Sequence, residues 1–461
     1  MSVSQKNYSL LPYFADSAAL FSSLAGQPWA VFLDSAHPYC LQGRYDIIAA
    51  DPVCTLLTRG AITEITQGGV TTLSDANPFE LVKQQTCLYA GQDTNAFGLP
   101  FNGGAIGYFA YDLARRLENL PVIAADAEGI AEMAVGIYNW AVVVDHHRQK
   151  TVLVWQGLDG RTHGELLARF SRLPEQACQP VFKVVSDITC NMDKAAYTQA
   201  FNRIKRYLME GDCYQVNLTQ RFVAACEGNP WAAYQLLRQV NAAPFSCYLN
   251  LPEAQILSSS PERFLKLENG VVETKPIKGT RPRKADYAAD QQQISLLENS
   301  KKDRAENLMI VDLLRNDLGK TCKTGSIRVP KLFAVETYAT VHHLVSTVTG
   351  ELATNRHALD LLESCFPGGS ITGAPKIRAM EVIEELEPNR RGVYCGAIGY
   401  VGFNGNMDTN IAIRTLVHAG GTIRFWVGGG IVNDSVVDDE YQECFDKAAA
   451  LLNVLRQLAV N

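Results

Sequence analysis

Phe264-Leu-Lys-Leu-Glu-Asn-Gly-Val-Val-Glu-Thr274 decides the fold class. Two short runs, Phe264 to Leu267 and Val271 to Thr274, flank Glu268-Asn269-Gly270. Asn-Gly between such runs signals a tight hairpin, because both turn positions need a positive φ. Upstream, residues 256–260 read as another strand, and Lys194 to Glu210 as an amphipathic helix that stops at Gly211. Downstream, residues 295–317 read as one long helix ending at Gly319. Residues 392–403, 408–417 and 422–432 read as strands, and 438–458 as a closing helix. Long helices interleaved with hairpins predict an α+β fold with largely antiparallel sheets.

The N-terminal third is less patterned. Trp29-Ala-Val-Phe-Leu33 and Ile47-Ile-Ala-Ala50 read as strands, the second closed by Asp51-Pro52. Trp140 to Asp145 and Val152 to Trp155 read as paired strands around a polar turn. A helical, charged stretch within 158–185, followed by Pro174 and Pro180, marks a soft boundary. Phe101-Asn-Gly-Gly-Ala-Ile-Gly-Tyr108 lacks the Lys-Ser/Thr ending of a phosphate loop and suits close backbone packing.

Composition excludes several classes. The 461 residues are 47% apolar and 20% charged, ordinary for a globular chain with a large core. Net charge is −6 with the signs mixed, so there is no footprint for nucleic acid. Twelve scattered cysteines show neither CxxC nor zinc spacing, which fits reduced thiols in the cytoplasm. Met1 to Ala18 lacks the pattern of a signal peptide, and no apolar run approaches membrane-spanning length.

Candidate chemistry lies in the last 250 residues. Glu306 shares a helix face with Met309, Ile310 and Leu313, a costly position for an unsatisfied carboxylate. Glu440 and Glu443 are neighbours at i and i+3, and Glu440 heads the stripe Cys444, Ala448, Leu451. Three carboxylates from two helices suit Mg²⁺, a hard ion that takes oxygen ligands; Glu306 paired with a nearby cation is the alternative. Phe366 to Lys376 is a loop entering a helix over 374–386, with Thr372 as N-cap and Pro375 in the first turn. Such an end offers N–H groups to an anion, with Lys376 beside them. Gly428, Gly429 and Gly430 read either as a second anion nest or as a tight turn, and Arg414 sits in a strand. Lys278, between Ile277 and Gly279, is either a solvated loop lysine or a partly buried one with depressed basicity and nucleophilic capacity.

These segments resemble the chorismate-utilising enzymes, a family that includes anthranilate synthase and aminodeoxychorismate synthase large subunits, isochorismate synthases and salicylate synthases. The matching runs are Gly211-Asp-Cys-Tyr-Gln-Val-Asn-Leu218, Ser260-Pro-Glu-Arg-Phe264, Pro276-Ile-Lys-Gly-Thr280, Lys302-Asp-Arg-Ala-Glu306-Asn, residues 312–318, His343-Leu-Val-Ser346, residues 367–380 and Glu440-Tyr-Gln-Glu443. They occur in family order over about 250 residues, while Arg44 to Pro52 and Phe101 to Arg115 match more weakly. The resemblance implies large, mostly antiparallel sheets packed as a sandwich with helices outside. It implies an N-terminal region over 1–150 like that of anthranilate synthase large subunits, and a chorismate-binding catalytic domain over 185–461. It also implies Mg²⁺ on Glu306, Glu440 and Glu443. Lys278 is then the nucleophile and Glu262 the general acid. Gln215, His343, Thr372, Tyr394, Arg414, Lys376 and the three glycines contact the substrate.

Two positions select the branch. Anthranilate synthases carry alanine where Lys278 stands, and the water-adding branches carry a base where Gln215 stands. An amide has no usable basicity. The pair therefore points to amination of chorismate at C4, with C2 amination and pyruvate loss as the alternative, and a silent subunit that only activates a partner as a reading of another class. Ammonia is expected from a separate glutamine amidotransferase subunit, since no such segment lies in the chain. Related synthases hold tryptophan in the N-terminal region; Asp34-Ser35 and Tyr45 fall in the corresponding stretch.

Overall fold

The computed structural model describes residues 7–40, 43–89, 98–174, 181–338 and 341–459. The hairpin forms as read. Strands Arg263–Glu268 and Val271–Thr274 pair with Leu267 opposite Val272, and Asn269 and Gly270 take φ of 52° and 81°. Two successive left-handed residues match the strands' right-handed twist, which is why Asn-Gly serves here. Met407–Ile411 pairs with one side of the hairpin and Val341–Glu351 with the other.

Two large sheets result. The first runs in the order Tyr8–Leu11, Lys150–Trp155, Trp140–Asp145, Tyr45–Ala49, Ala30–Asp34, Phe245–Asn250, Gln255–Ser260, Thr415–Ala419, Thr422–Ile431, Gln215–Gly228, Phe182–Val184. The second runs Ile277–Pro282, Val341–Glu351, Val271–Thr274, Arg263–Glu268, Met407–Ile411, Ala397–Gly402, Gly104–Phe109, Met133–Tyr138, Cys54–Arg59, Ile62–Gln67, Val70–Ser74. Neighbours along both orders are antiparallel, as at Ala30–Asp34 on Phe245–Asn250 and Gly104–Phe109 on Ala397–Gly402. These two ladders tie the 1–150 region to the 185–461 region, so each sheet draws strands from both.

Strand alternation shows how the layers stack. Val31, Ile47, Ala141, Val143, Leu249 and Val417 join the core cluster that contains the second sheet. Their neighbours Phe32, Ile48, Val142, Val144, Tyr248 and Leu416 join a cluster with helices Lys194–Glu210, Pro230–Val240, Lys376–Leu386 and Val437–Gln457. A one-residue slip would exchange the two faces, and burial is worth about 1.5–3 kcal/mol per large apolar side chain, so the register is strongly set. The fold is the expected sandwich of antiparallel sheets with outer helices.

Two elements read as continuous are each divided in the structure. The helix read over 295–317 is two helices, Tyr287–Glu298 and Lys301–Gly319. Ser300 caps the second by accepting the Asp303 N–H, so the chain restarts its helix there. The strand read over 408–417 is also two. Met407–Ile411 belongs to the second sheet and Thr415–Ala419 to the first, and Arg414 makes the crossing with φ of 51°. The helix expected before Pro174 is Gly160–Phe170, capped by Asp159; Pro180 lies outside the described residues.

Candidate active site at the seam between the sheets

The helix Lys194–Glu210 closes at Gly211 in a left-handed cap and turns the chain into the strand that begins at Gln215. Gln215, Asn217 and Thr219 alternate with Val216 and Leu218, which face the helices. Gln215 is fully buried; its Nε2 donates to Asn217 Oδ1 at 3.2 Å, and its Oε1 has no protein partner. Gly428, Gly429 and Gly430 stand opposite Thr219, Leu218 and Asn217 in a regular ladder. They form a strand and not a tight turn, and since only alternate residues of a ladder bond the partner strand, the pairing leaves backbone groups on the other edge, where Lys447 reaches the Gly428 carbonyl. What they supply is space. A Cβ on Gly430 would come within 2.8 Å of Gln215 Nε2, and one on Gly429 within 3.3 Å of Glu440 Oε2.

The second sheet faces this floor with two titratable groups. Glu262 precedes the strand Arg263–Glu268 and is buried; Ser370 Oγ donates to its Oε1 at 2.9 Å. Burial raises its carboxyl above the usual range, opposed by the Lys278 charge and the Ser370 bond. Lys278, on Ile277–Pro282, donates from Nζ to the Ser370 carbonyl at 3.1 Å. Asn217 Nδ2 reaches the same carbonyl from the other sheet at 3.4 Å. Ser370 thus joins the two layers, and it lies inside the 366–376 loop without having been singled out there. Desolvation pushes the Lys278 amine below its ordinary value, opposed by Glu306 and Glu262. Gly279, with φ of 83°, packs on the helices beneath: its added Cβ would meet Asp303 and Leu297 at 2.8 Å. The close approach beside Lys278 is to protein, and it fixes the lysine's strand against the helix bearing Glu306.

Three carboxylates approach from the helices. Glu306 lies on Lys301–Gly319; burial raises its carboxyl, against Lys278 and Lys302. Glu440 and Glu443 lie one turn apart on Val437–Gln457, over the fully buried Cys444, Ala448 and Leu451. Glu440 Oε1 accepts from Ser435 Oγ at 2.6 Å and Lys302 Nζ at 3.2 Å. Glu443 pairs with Lys447 at 2.7 Å; although burial raises its carboxyl, Lys447 holds it below the usual range. Lys447 also donates to the Gly428 carbonyl at 2.9 Å.

The anion-binding residues are placed differently from the sequence reading. The helix begins at Lys376 with Pro375 as cap, and Thr372 donates from Oγ1 to the Gly368 carbonyl at 3.0 Å instead of capping. Residues 373 and 374 pair with the strand at Gln215, which draws the chain away from a cap geometry. Lys376 donates to Asp317 at 2.6 Å and to the Cys365 carbonyl at 2.9 Å, so its charge secures the helix Lys301–Gly319 rather than a ligand. His343 meets Thr280 Oγ1 at 2.9 Å; burial and the Arg414 charge push its imidazole down to about 4, so it is neutral at pH 7. Tyr394 stacks on Trp426 at 6.1 Å. Arg414 is depressed by burial, opposed by Tyr394, and no described carboxylate pairs with it. A partly buried, unneutralised guanidinium is the charge a bound carboxylate would complete.

Asp34, Ser35 and Tyr45 have partners within the protein. Asp34 accepts from Tyr234 and Arg238, each at 2.8 Å, and Ser35 donates from its backbone N–H and Oγ to Asp46, each at 2.7 Å. Tyr45 carries the Arg44 guanidinium over its ring at 4.5 Å.

The family described as chorismate binding enzyme matches residues 34–453. The chain belongs to that family. It is 48% identical over 442 residues to aminodeoxychorismate synthase component 1 of Escherichia coli K12, covering 95% of each chain. To the protein of that name from Klebsiella aerogenes it is 49% identical over 450 residues, covering 96% of this chain and 98% of the other. Among solved structures, anthranilate synthase component I of Streptococcus pneumoniae superposes with a TM-score of 0.78 at 31% identity, over 88% of this chain and 92% of that one.

In this chorismate-binding enzyme the residues that sequence reading missed are Ser370, Asn217, Lys302 and Lys447. The two lysines carried a signal, since each stands four residues from a flagged glutamate, Lys302 before Glu306 and Lys447 after Glu443. The all-oxygen donor set of Glu306, Glu440 and Glu443 suits Mg²⁺ chemically. Among the described residues, no three side chains of metal-binding type stand at ligand spacing, and ammonium groups lie on two of the three carboxylates.

Replacing Arg414 separates binding from stability. Arg414→Met is expected to raise KM for chorismate roughly 10- to 100-fold through the lost charge-assisted contact. Its Tm should stay unchanged or rise by about 1–3 °C, because an uncompensated charge is removed. Steady-state kinetics with a thermal melt would decide it, and an unchanged KM would count against the assignment.

Proposed function

We propose that the chain is component 1 of an aminodeoxychorismate synthase. It would aminate chorismate at C4, leave the enolpyruvyl group in place, and take ammonia from a glutamine amidotransferase partner to make 4-amino-4-deoxychorismate, a precursor of 4-aminobenzoate and folate. The observation that carries this reading is Lys278. Its amine is depressed by burial, it lies within electrostatic reach of Glu262 and Glu306, and Ser370 holds it at 3.1 Å.

The chain's own groups divide the work. Arg414 receives a substrate carboxylate, while the side-chain-free floor at Gly428 and Gly430 lets the ring lie against the strand. Glu262, whose raised carboxyl keeps a proton available, protonates the C4 hydroxyl as it departs as water. The Lys278 amine forms a bond to C2 in the same displacement. Ammonia then adds at C4, and the lysine leaves from C2 as the free amine. Neutral His343, held by Thr280, stands on this side without adding charge. Mg²⁺ on Glu306, Glu440 and Glu443 would neutralise the ring carboxylate and polarise the ring.

Anthranilate synthase activity is the second reading, favoured by the 31% identical solved relative. Product mass from chorismate, Mg²⁺ and ammonium distinguishes the two: retained enolpyruvyl supports C4 amination, and free pyruvate supports the alternative. Glutamine should replace ammonium only when the amidotransferase subunit is added. Glutamine-dependent turnover by the rigorously purified single chain would overturn that expectation.

A further inference from the structure

Two lysines lie on the candidate metal carboxylates, and they are held differently. Lys447 is anchored twice, on Glu443 at 2.7 Å and on the Gly428 carbonyl at 2.9 Å. Among the described residues Lys302 has a single polar contact, Glu440 Oε1 at 3.2 Å, and its side chain is 45% exposed while that of Glu440 is 4% exposed. The Lys302 charge also acts on Glu306 and Glu443, so one ammonium group serves all three carboxylates. Glu440 keeps a donor when Lys302 is absent, because Ser435 Oγ reaches the same oxygen at 2.6 Å. A long aliphatic stem lets an ammonium group leave such a site for water at little cost.

We propose that Lys302 is the resident counter-ion of the carboxylate cluster, holding Glu440 in the metal-free enzyme and withdrawing to solvent when a divalent cation arrives. The inference rests on the metal reading of Glu306, Glu440 and Glu443. Its consequence is a competition: the ammonium group prevents repulsion among the carboxylates in the empty state and lowers the affinity of the free enzyme for Mg²⁺. Lys302 is thus a positioning residue, acting on the glutamates rather than on substrate. Lys447 cannot replace it, since its second bond to the strand keeps it on Glu443.

The test is Mg²⁺ affinity of the purified full chain, measured by titration calorimetry without substrate, so that turnover plays no part. Lys302→Gln should bind Mg²⁺ about three- to fivefold more tightly, the scale of one partly exposed ion pair. Lys302→Arg keeps the charge and should bind no more tightly than the parent. Lys301→Gln, which removes a neighbouring charge exposed to solvent, should change affinity less than twofold. Equal or weaker binding by Lys302→Gln, with saturable binding retained in the parent and lost in Glu306→Gln, would overturn the competition and leave the metal reading standing. Absence of saturable binding in the parent would overturn both.

Discussion

Lys278→Ala is expected to lower the rate of 4-amino-4-deoxychorismate formation on the order of 100-fold, with the remainder carried by direct addition of ammonia in a site whose other groups are intact. Desolvation depresses the Lys278 amine, and Glu306 and Glu262 oppose it. Because the folded-state value is lowered, the free amine is present at lower pH than for an exposed lysine. It is lost to protonation as pH falls through that value, so the rate should decline on the acid side. Lys278→Arg should not recover activity, since a guanidinium stays protonated. With ammonia withheld, the parent enzyme and chorismate should give a mass increase on the Lys278 peptide, absent in the alanine variant. Full turnover by Lys278→Ala with the same product would reduce this lysine to a strand residue and remove the main support for C4 over C2 amination.

The second large effect is expected at the carboxylates. Glu306→Gln and Glu443→Gln should each reduce turnover by about 100-fold or more, because on the proposed metal reading the loss of a carboxylate ligand would weaken the hold on both Mg²⁺ and the substrate carboxylate. Folding should survive. Glu306 is raised by burial, so its ionised form is a burden that the amide does not carry, and the Glu443 side chain is only half-buried. Unchanged melting curves beside lost turnover separate this outcome from unfolding. Full activity in excess chelator would refute the metal requirement.

Local features were legible in the sequence and long-range ones were not. The helix Lys194–Glu210 forms with the bounds read, and the Asn269-Gly270 hairpin forms with its first strand one residue longer at each end, because capping, periodicity and turn chemistry act within a few residues. Glu262 and Lys278 were legible through the resemblance, and the structure brings them together around Ser370. The placement of Lys376 was hidden, because Asp317 lies 59 residues away. The glycine run at 428–430 looked like a turn since nothing local shows that Asn217, Leu218 and Thr219 pair with it. Arg414 was read into a strand because residues 408–417 keep strand composition while crossing from one sheet to the other. The break at residue 300 is a local signal that was passed over, a serine three residues before an aspartate.

The crossing at Arg414 has one more implication. Lys278 and Glu262 belong to one layer, Gln215 and the glycine floor to the other, and Arg414 to the link between them. The separation of these groups is therefore governed by the spacing of the two layers, about 10 Å for stacked sheets. That gauge is set by interlayer side chains such as Val143, Leu249 and Val417, none of which belongs to the candidate site. Close-packed cores transmit volume changes instead of absorbing them. Apolar substitutions in the middle of the sandwich therefore act on the geometry of the site without touching any of its residues.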